Sequence, residues 1–167
     1  MKKLLSIVLA LVLCFALTAP AMATEATLST AKEFCSLLDE IDIVYTCKGL
    51  DEDGDDCITV EMSSDVAPDY TLIYYFTSDL SDTYLRIFNI VDLSEDDLAA
   101  ALLTCNELND DYCFGRFILD TSDNSITFAM DVLHTEDTAA ELMLQATLYA
   151  CQLYEASYEV LAEYDIG

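Results

Sequence analysis

The sequence predicts an α+β domain in which helices pack on one antiparallel sheet. Segments with apolar residues at helical spacing alternate with short segments in which every second residue is apolar, and turn-forming residues separate the short segments. The composition agrees, because 54% of the residues are hydrophobic and a core is therefore expected despite the high charge. The predicted order of elements is α-β-β-β-β-α-β-β-α.

The first predicted helix begins at Ser29 or Thr30 and ends near Glu40. Thr30 and Glu33 have the spacing of a capping box, in which the hydroxyl and the carboxylate each accept a hydrogen bond from a free backbone N–H. This pattern is typical of a helix start.

Four strands are predicted next. Residues 41–48 and 57–62 alternate between apolar and polar side chains, and Asp53-Gly54 between them is a turn pair, so these segments form a predicted hairpin. Residues 70–76 and 84–91 are rich in β-branched and aromatic residues, which favour strands.

The second half of the chain repeats the alternation of helix and strand. The acidic stretch 94–97 is expected to cap a helix that runs to about Leu108, because acids stabilise the positive N-terminal end of a helix. Residues 112–120 and 125–132 form a predicted hairpin. The last helix is predicted from Thr135 to about Tyr164.

This last helix has an apolar face wider than one stripe, which includes Leu142, Leu144, Leu148, Leu153 and Leu161. Such a face indicates burial on two sides. The second side is either the protein's own core or a contact with another subunit, and core packing is the simpler interpretation.

Residues 1–23 have the pattern of a signal peptide. Lys2 and Lys3 precede an apolar run too short to span a membrane, and Ala21-Met22-Ala23 matches a signal-peptidase site. Cys14 lies within the run, but the residues before it do not resemble a lipidation motif. The protein is therefore expected to be exported, either secreted or kept in the cell envelope after cleavage near Ala23, with residues 24–167 as a single domain.

The charge of the chain excludes some partners. Removal of Lys2 and Lys3 takes the net charge from −26 to −28, and the cations that remain are Lys32, Lys48, Arg86 and Arg116. Nucleic acid and anionic membrane surfaces repel such a chain. The acids either attract cations and basic proteins or keep the protein soluble.

The cysteines leave two interpretations open. Six follow the signal, and an even number in an exported protein suggests disulfides, whereas the apolar stripes that contain several of them suggest buried thiols. Cys47 and Cys57 have opposite strand parity and are expected on opposite faces of the sheet. Cys105 and Cys113 are the pair favoured for a disulfide. The six are Cys35, Cys47, Cys57, Cys105, Cys113 and Cys151.

No metal, cofactor or catalytic residue is predicted. The acidic cluster from Asp51 to Asp56 resembles a calcium loop, but alignment on Gly54 puts Gly49 and Val60 where an EF-hand needs carboxylates. A weak calcium site and an acidic hairpin tip remain alternatives, of which the tip is favoured. His134 is the single histidine and has no catalytic motif around it.

The stretch Leu102-Leu103-Thr104-Cys105-Asn106-Glu107-Leu108-Asn109, followed by Gly115-Arg116-Phe117-Ile118-Leu119-Asp120, resembles the YbjN domain family, which is related in fold to the chaperones of type III secretion. The resemblance covers about residues 30–164 and implies a sheet domain, often dimeric, that binds polypeptide or acts as a regulator. It carries over no catalytic residue. The signal peptide and the cysteines depart from the secretion chaperones.

The sequence therefore predicts an exported, non-enzymatic binding domain of the YbjN-like kind, chaperone-like or regulatory, that holds a protein partner through its sheet face or last helix. A homodimer is compatible with this prediction. The alternative is an acidic envelope protein that binds cations or acts as a solubilising surface, suggested by the net charge and the acidic cluster. The sequence does not identify the partner.

Overall fold

A computed structural model describes residues 24–167 of the chain. The predicted export signal lies outside these residues. The described part contains three helices and six strands, with a 3₁₀ turn on either side of the last helix (Glu136–Thr138 and Ala162–Tyr164). In chain order the helices and strands are α1 (Ser29–Glu40), β1 (Thr46–Leu50), β2 (Asp56–Met62), β3 (Tyr70–Phe76), β4 (Asp82–Ile87), α2 (Leu98–Asp111), β5 (Gly115–Asp120), β6 (Ser125–Leu133) and α3 (Ala139–Leu161). The predicted fold class and element order are confirmed.

The six strands form one sheet in the order β1-β2-β3-β4-β6-β5, and every neighbouring pair is antiparallel. Side chains alternate in burial along β3 and β4, as expected for a sheet with one face covered. The three helices lie on the same face. Phe34 of α1 packs on Tyr74 and Phe76 with ring centroids 4.9 and 5.5 Å apart, and Thr147 of α3 hydrogen-bonds the Tyr74 hydroxyl at 2.8 Å.

The predicted capping box at α1 is wrong. Thr30 is buried, and its hydroxyl has no hydrogen-bond partner among residues 24–167. The Asp56 carboxylate on β2 instead accepts hydrogen bonds from the backbone N–H groups of Thr27 and Leu28, both at 2.6 Å. A residue distant in sequence therefore caps this helix, because the fold brings β2 against its start.

Several strands and helices are shorter than predicted, because the chain turns at residues where the regular spacing of apolar side chains continues. Asp42 and Asn89 have positive φ values of 59° and 52°, so β1 begins only at Thr46 and β4 ends at Ile87. Ser94 donates a hydrogen bond to the Asp97 carboxylate at 2.6 Å in a turn before α2.

The wide apolar face of α3 is buried on two sides, as the sequence predicts. α3 packs against β4 and β6 on one side and α1 on the other. Met143, Ala150 and Leu161 on this helix are fully buried. Among the described residues, no helix is both long and apolar enough to cross a membrane.

Candidate functional site: an apolar groove beside an open strand edge

A groove of about 670 Å³ lies between the end of β6 and α3. Its walls are mainly apolar, although most apolar side chains of the domain are in the core. Most of the lining comes from the β5 entry, β6 and α3, namely Phe114, Met130, Val132, Leu133, Leu142 and Tyr149. Two of these are almost fully in solvent: Phe114 is 88% exposed and Leu133 is 78% exposed. Exposed apolar side chains around a groove are typical of a binding surface.

The groove exists because β5 is shorter than β6. The last β5–β6 pair joins Gly115 to Met130. β6 continues to Leu133, where it pairs with Asp82 of β4. The last three residues of β6, Asp131, Val132 and Leu133, therefore have a neighbouring strand on one side only within the described chain. We call these three residues the β6 overhang.

Phe114 is held in solvent by a tight turn. The N–H of Gly115 donates to the carbonyl of Cys113 at 2.9 Å, and Phe114 between them has a φ of 71°. An i to i+2 hydrogen bond around a residue with this φ is the strained form of the γ-turn, and it is rare for an aromatic residue. Strain of this kind concentrates at functional positions. The ring lies edge-on to Tyr149 of α3, with centroids 6.5 Å apart.

Gly115 anchors this turn to the core. A Cβ atom at this position would lie 2.4 Å from Cζ of Phe128 and 3.0 Å from Cδ1 of Leu153. Phe128 is fully buried, so its ring has no room to move away. Glycine at residue 115 therefore lets β5 start close to the core, immediately after the strained turn.

Beside the overhang, two arginines are paired with a single aspartate. Arg86 and Arg116 each place Nη2 2.8 Å from a different carboxylate oxygen of Asp131. Arg86 also donates to the carbonyls of Leu85 and Met130, at 2.9 and 3.0 Å. These two arginines are half of the cations in residues 24–167. The rest of this strongly acidic molecule therefore has few cations to offset its negative field.

Carboxylates of the acidic cluster at the β1–β2 turn accept hydrogen bonds from backbone N–H groups in the turn, at Ser78 and before α1. Oδ1 of Asp51 accepts hydrogen bonds from the N–H groups of Asp53 and Asp55, at 2.9 and 3.0 Å. Oδ1 of Asp55 accepts from the N–H of Ser78, and Asp56 caps α1. Across residues 24–167, no three His, Cys, Asp or Glu side chains lie close enough together to hold a metal ion.

His134 ties the end of β6 to β4. Its Nε2 lies 2.8 Å from the hydroxyl of Thr83, and its backbone N–H donates to the carbonyl of Ser81 at 2.9 Å. Thr83 is fully buried, so its hydroxyl is closed to a substrate. The pair fixes the strand from which the overhang projects.

No disulfide joins any of the six cysteines in residues 24–167. The favoured Cys105–Cys113 disulfide is absent, because Cys105 faces the core while Cys113 is exposed beside the groove. Cys47 belongs to the helix-covered core and Cys57 does not, as their parity predicts. Burial raises the pKa of the Cys35 thiol to about 12 and that of Cys105 to about 11, so both stay protonated at neutral pH.

Sequence reasoning did not identify the groove, although it named the last helix as a surface for a partner. One local signal was available: the pair Phe114-Gly115 places a large aromatic residue directly before a glycine, at a predicted helix-to-strand connection. Tyr149 and Leu142 were recognised only as parts of a wide apolar face. Their role depends on where β5 ends.

The chain was compared with protein-family models, curated proteins and solved structures, and nothing in any of the three matches it. The resemblance to the YbjN family therefore stays a prediction, and the groove itself supports the functional conclusion.

Proposed function

We propose that this protein is an exported, non-enzymatic binding domain that holds an apolar segment of another polypeptide in the groove between β6 and α3. The observation that carries the proposal is Phe114, an aromatic side chain kept 88% exposed by a strained turn. Burial of a Phe or Leu side chain is worth about 1.5–3 kcal/mol each. Phe114 and Leu133 together thus give a partner two strong apolar contacts.

The chemistry of the groove favours binding over catalysis. Its polar side-chain groups are those of Asp131, Gln145 and the Tyr149 hydroxyl, and both oxygens of the Asp131 carboxylate are paired with arginines. A general base or nucleophile needs an available lone pair and an activating neighbour. The groove offers apolar contact and shape, which are the main requirements of a polypeptide-binding surface.

The test uses protein purified from a host that exports it. The probe is a fluorescent basic protein that has been reduced and alkylated, so that it stays unfolded, and binding is read by fluorescence anisotropy. We expect saturable binding of this probe, and weaker binding of the same protein in its folded state. Phe114→Gly is expected to weaken binding about tenfold, the effect of one interface hot spot.

Glycine is chosen at residue 114 because it accepts the positive φ and preserves the turn. The matched control is Val66→Ala, since Val66 is 66% exposed but does not line the groove. Equal loss of binding in the two variants, or no binding by the unaltered protein, would contradict the proposal.

A further inference from the structure

The chain has an apolar segment of its own outside the described residues. We call residues 1–23, the predicted signal peptide, the leader. Its residues 4–17 are apolar apart from Ser6, and its charged residues are Lys2 and Lys3. A segment without charges enters an apolar groove without leaving a buried charge unpaired. Residues 4–17 therefore have the chemistry that the groove between β6 and α3 accepts.

The first described helix begins beside the groove. The hydroxyl of Ser29, the first residue of α1, donates a hydrogen bond to the carboxylate of Glu136. Glu136 begins the 3₁₀ turn after β6 and lies three residues beyond Leu133, which lines the groove. The start of α1 and the end of β6 are thus at the same end of the domain.

The distance from Thr24 to the groove follows from the register of the sheet. Thr24 lies against β1, with its Cγ2 3.1 Å from the position that a Cβ atom would take at Gly49. One row of paired residues crosses the sheet from this point to the groove: Gly49, Cys57, Tyr75, Tyr84 and Asp131. Four strand spacings separate the ends of this row, which is a distance of about 19 Å.

Residues 18–23 are long enough to cover this distance. Six extended residues span up to about 20 Å, so Leu17 reaches the groove while Thr24 keeps its place beside Gly49. A short tether of this kind gives the attached segment an effective concentration of about 1 mM. A segment with a dissociation constant of only about 0.1 mM would then occupy the groove in roughly nine-tenths of the molecules.

We infer that, before cleavage near Ala23, residues 4–17 lie in the groove of their own chain, and that removal of the leader opens the groove to a partner. The inference rests on the proposed function and adds regulation of the same site. In the uncleaved chain, residues 4–17 contact Phe114 and Leu133 and displace water from them. Cleavage thus couples binding to export, because a chain that folds before export has no open groove for the polypeptides around it.

The test compares the uncleaved chain with its product. Residues 1–167, made by cell-free synthesis without membranes, keep the leader, and residues 24–167 are purified from a host that exports the protein. The probe for both is the unfolded basic protein, read by fluorescence anisotropy. We expect the uncleaved chain to bind the probe about tenfold more weakly, because a tethered competitor is present at about ten times its dissociation constant.

Two variants of the uncleaved chain differ in where a lysine is placed. Leu13→Lys puts the charge within the apolar run and should restore probe binding to within about twofold of that of residues 24–167, since an unpaired charge is costly to bury. Thr18→Lys puts the same charge just outside the run and should leave the groove closed. Equal probe binding by the two variants would contradict occupation of the groove by residues 4–17.

Two thiols of the chain report the contact directly. Cys14 belongs to the apolar run, and Cys113 is exposed beside the groove. A short bis-maleimide reagent should join Cys14 to Cys113 within one uncleaved chain, and peptide mass mapping would identify the link. Leu13→Lys should lower the yield of this link about tenfold, in proportion to the occupancy of the groove. An unchanged yield would contradict the inference.

The outcomes separate the inference from the proposed function. Equal probe binding by residues 1–167 and residues 24–167 would overturn the inference while leaving groove binding in place. A link between Cys14 and Cys113 that forms only between two chains would identify a second copy as the source of the occupant and would overturn the contact within one chain. Absence of probe binding by residues 24–167 would overturn the proposed function and the inference together.

Discussion

The sheet has two very different edges. β1 is five residues long and has a bulge between Cys47 and Gly49, where Gly49 adopts a φ of 80° and Lys48 is exposed. A short strand, a bulge and an edge lysine all discourage the addition of another strand. The β6 overhang has none of these features and is bordered by Phe114 and Leu133. β1 is thus protected against pairing, whereas the other edge strand, β5, stops short and leaves the end of β6 uncovered beside an apolar groove.

The open edge is therefore a local feature of the end of β6 and not a general property of this sheet. An unprotected edge with exposed apolar neighbours is a site for aggregation unless it is used for binding. The strong negative charge opposes self-association of identical copies. The same charge does not repel a basic partner.

Gly115→Ala should disrupt the open edge most strongly. The new methyl group would overlap the buried ring of Phe128, and we expect a loss of about 3 kcal/mol in the free energy of unfolding, measured by urea denaturation. The control is Gly54→Ala in the β1–β2 turn, where the φ of 86° is unfavourable for alanine but a Cβ atom would meet only Ser78, at an ordinary contact distance of 3.8 Å. That change should cost about 1 kcal/mol. Similar losses for the two variants would contradict the packing role of Gly115.

Alkaline pH should destabilise the folded protein, because two buried thiols would ionise. Burial raises the pKa of Cys35, near β1, to about 12 and that of Cys105, on α2, to about 11, compared with an ordinary value of 9.0. An acid whose pKa is higher in the folded state stabilises the fold below its unfolded pKa, and this stability is lost as pH rises. Each thiol should therefore cost about 1.4 kcal/mol per pH unit from pH 9 toward its folded pKa.

The measurement is the free energy of unfolding from pH 8 to 11. Cys35→Ala and Cys105→Ala should each make this pH dependence shallower, even if they lower stability at pH 8. Unchanged slopes in both variants would show that the thiols titrate equally in the folded and unfolded states.

Exchange of Leu133 and Lys48 tests whether the type of side chain at a strand edge controls binding. Leu133→Lys places at the overhang the type of side chain that protects β1, and we expect it to weaken binding of the unfolded protein probe about tenfold. Stability should change by less than about 0.5 kcal/mol, because Leu133 is 78% exposed. The reciprocal Lys48→Leu should not create a second peptide site, since the bulge remains. A second site in Lys48→Leu would show that the bulge does not protect β1.

The smallest expected effect concerns the thiols beside the two edges. Cys113 is exposed next to the groove, whereas Cys47 on β1 is buried. Iodoacetamide should modify Cys113 before Cys47 in the native protein, as peptide mass mapping would show, and Cys113→Ser should change stability by less than about 0.5 kcal/mol. Intact mass should not change on reduction. A mass increase of about 2 Da, the two hydrogens taken up when one disulfide is reduced, would contradict the absence of disulfides.

The element order was predictable because each element has a local cause. Asp53-Gly54 marks the first hairpin, and the alternation in residues 70–76 marks β3. The capping box at Thr30 failed because its pattern is also local, whereas the carboxylate that caps α1 comes from Asp56, 28 residues from Leu28. At the start of α1, a contact between distant residues therefore replaced the hydrogen bonds that the local pattern predicts.

The fold class, the net charge and the apolar character of α3 were predictable from the sequence, since periodicity and composition act through neighbours a few residues apart. The structure was needed to show that β5 pairs no further than Gly115 while β6 continues to Leu133. That offset depends on contacts between residues far apart in the chain, such as Gly115 with Phe128. The groove, the exposed Phe114 and the open edge all follow from it.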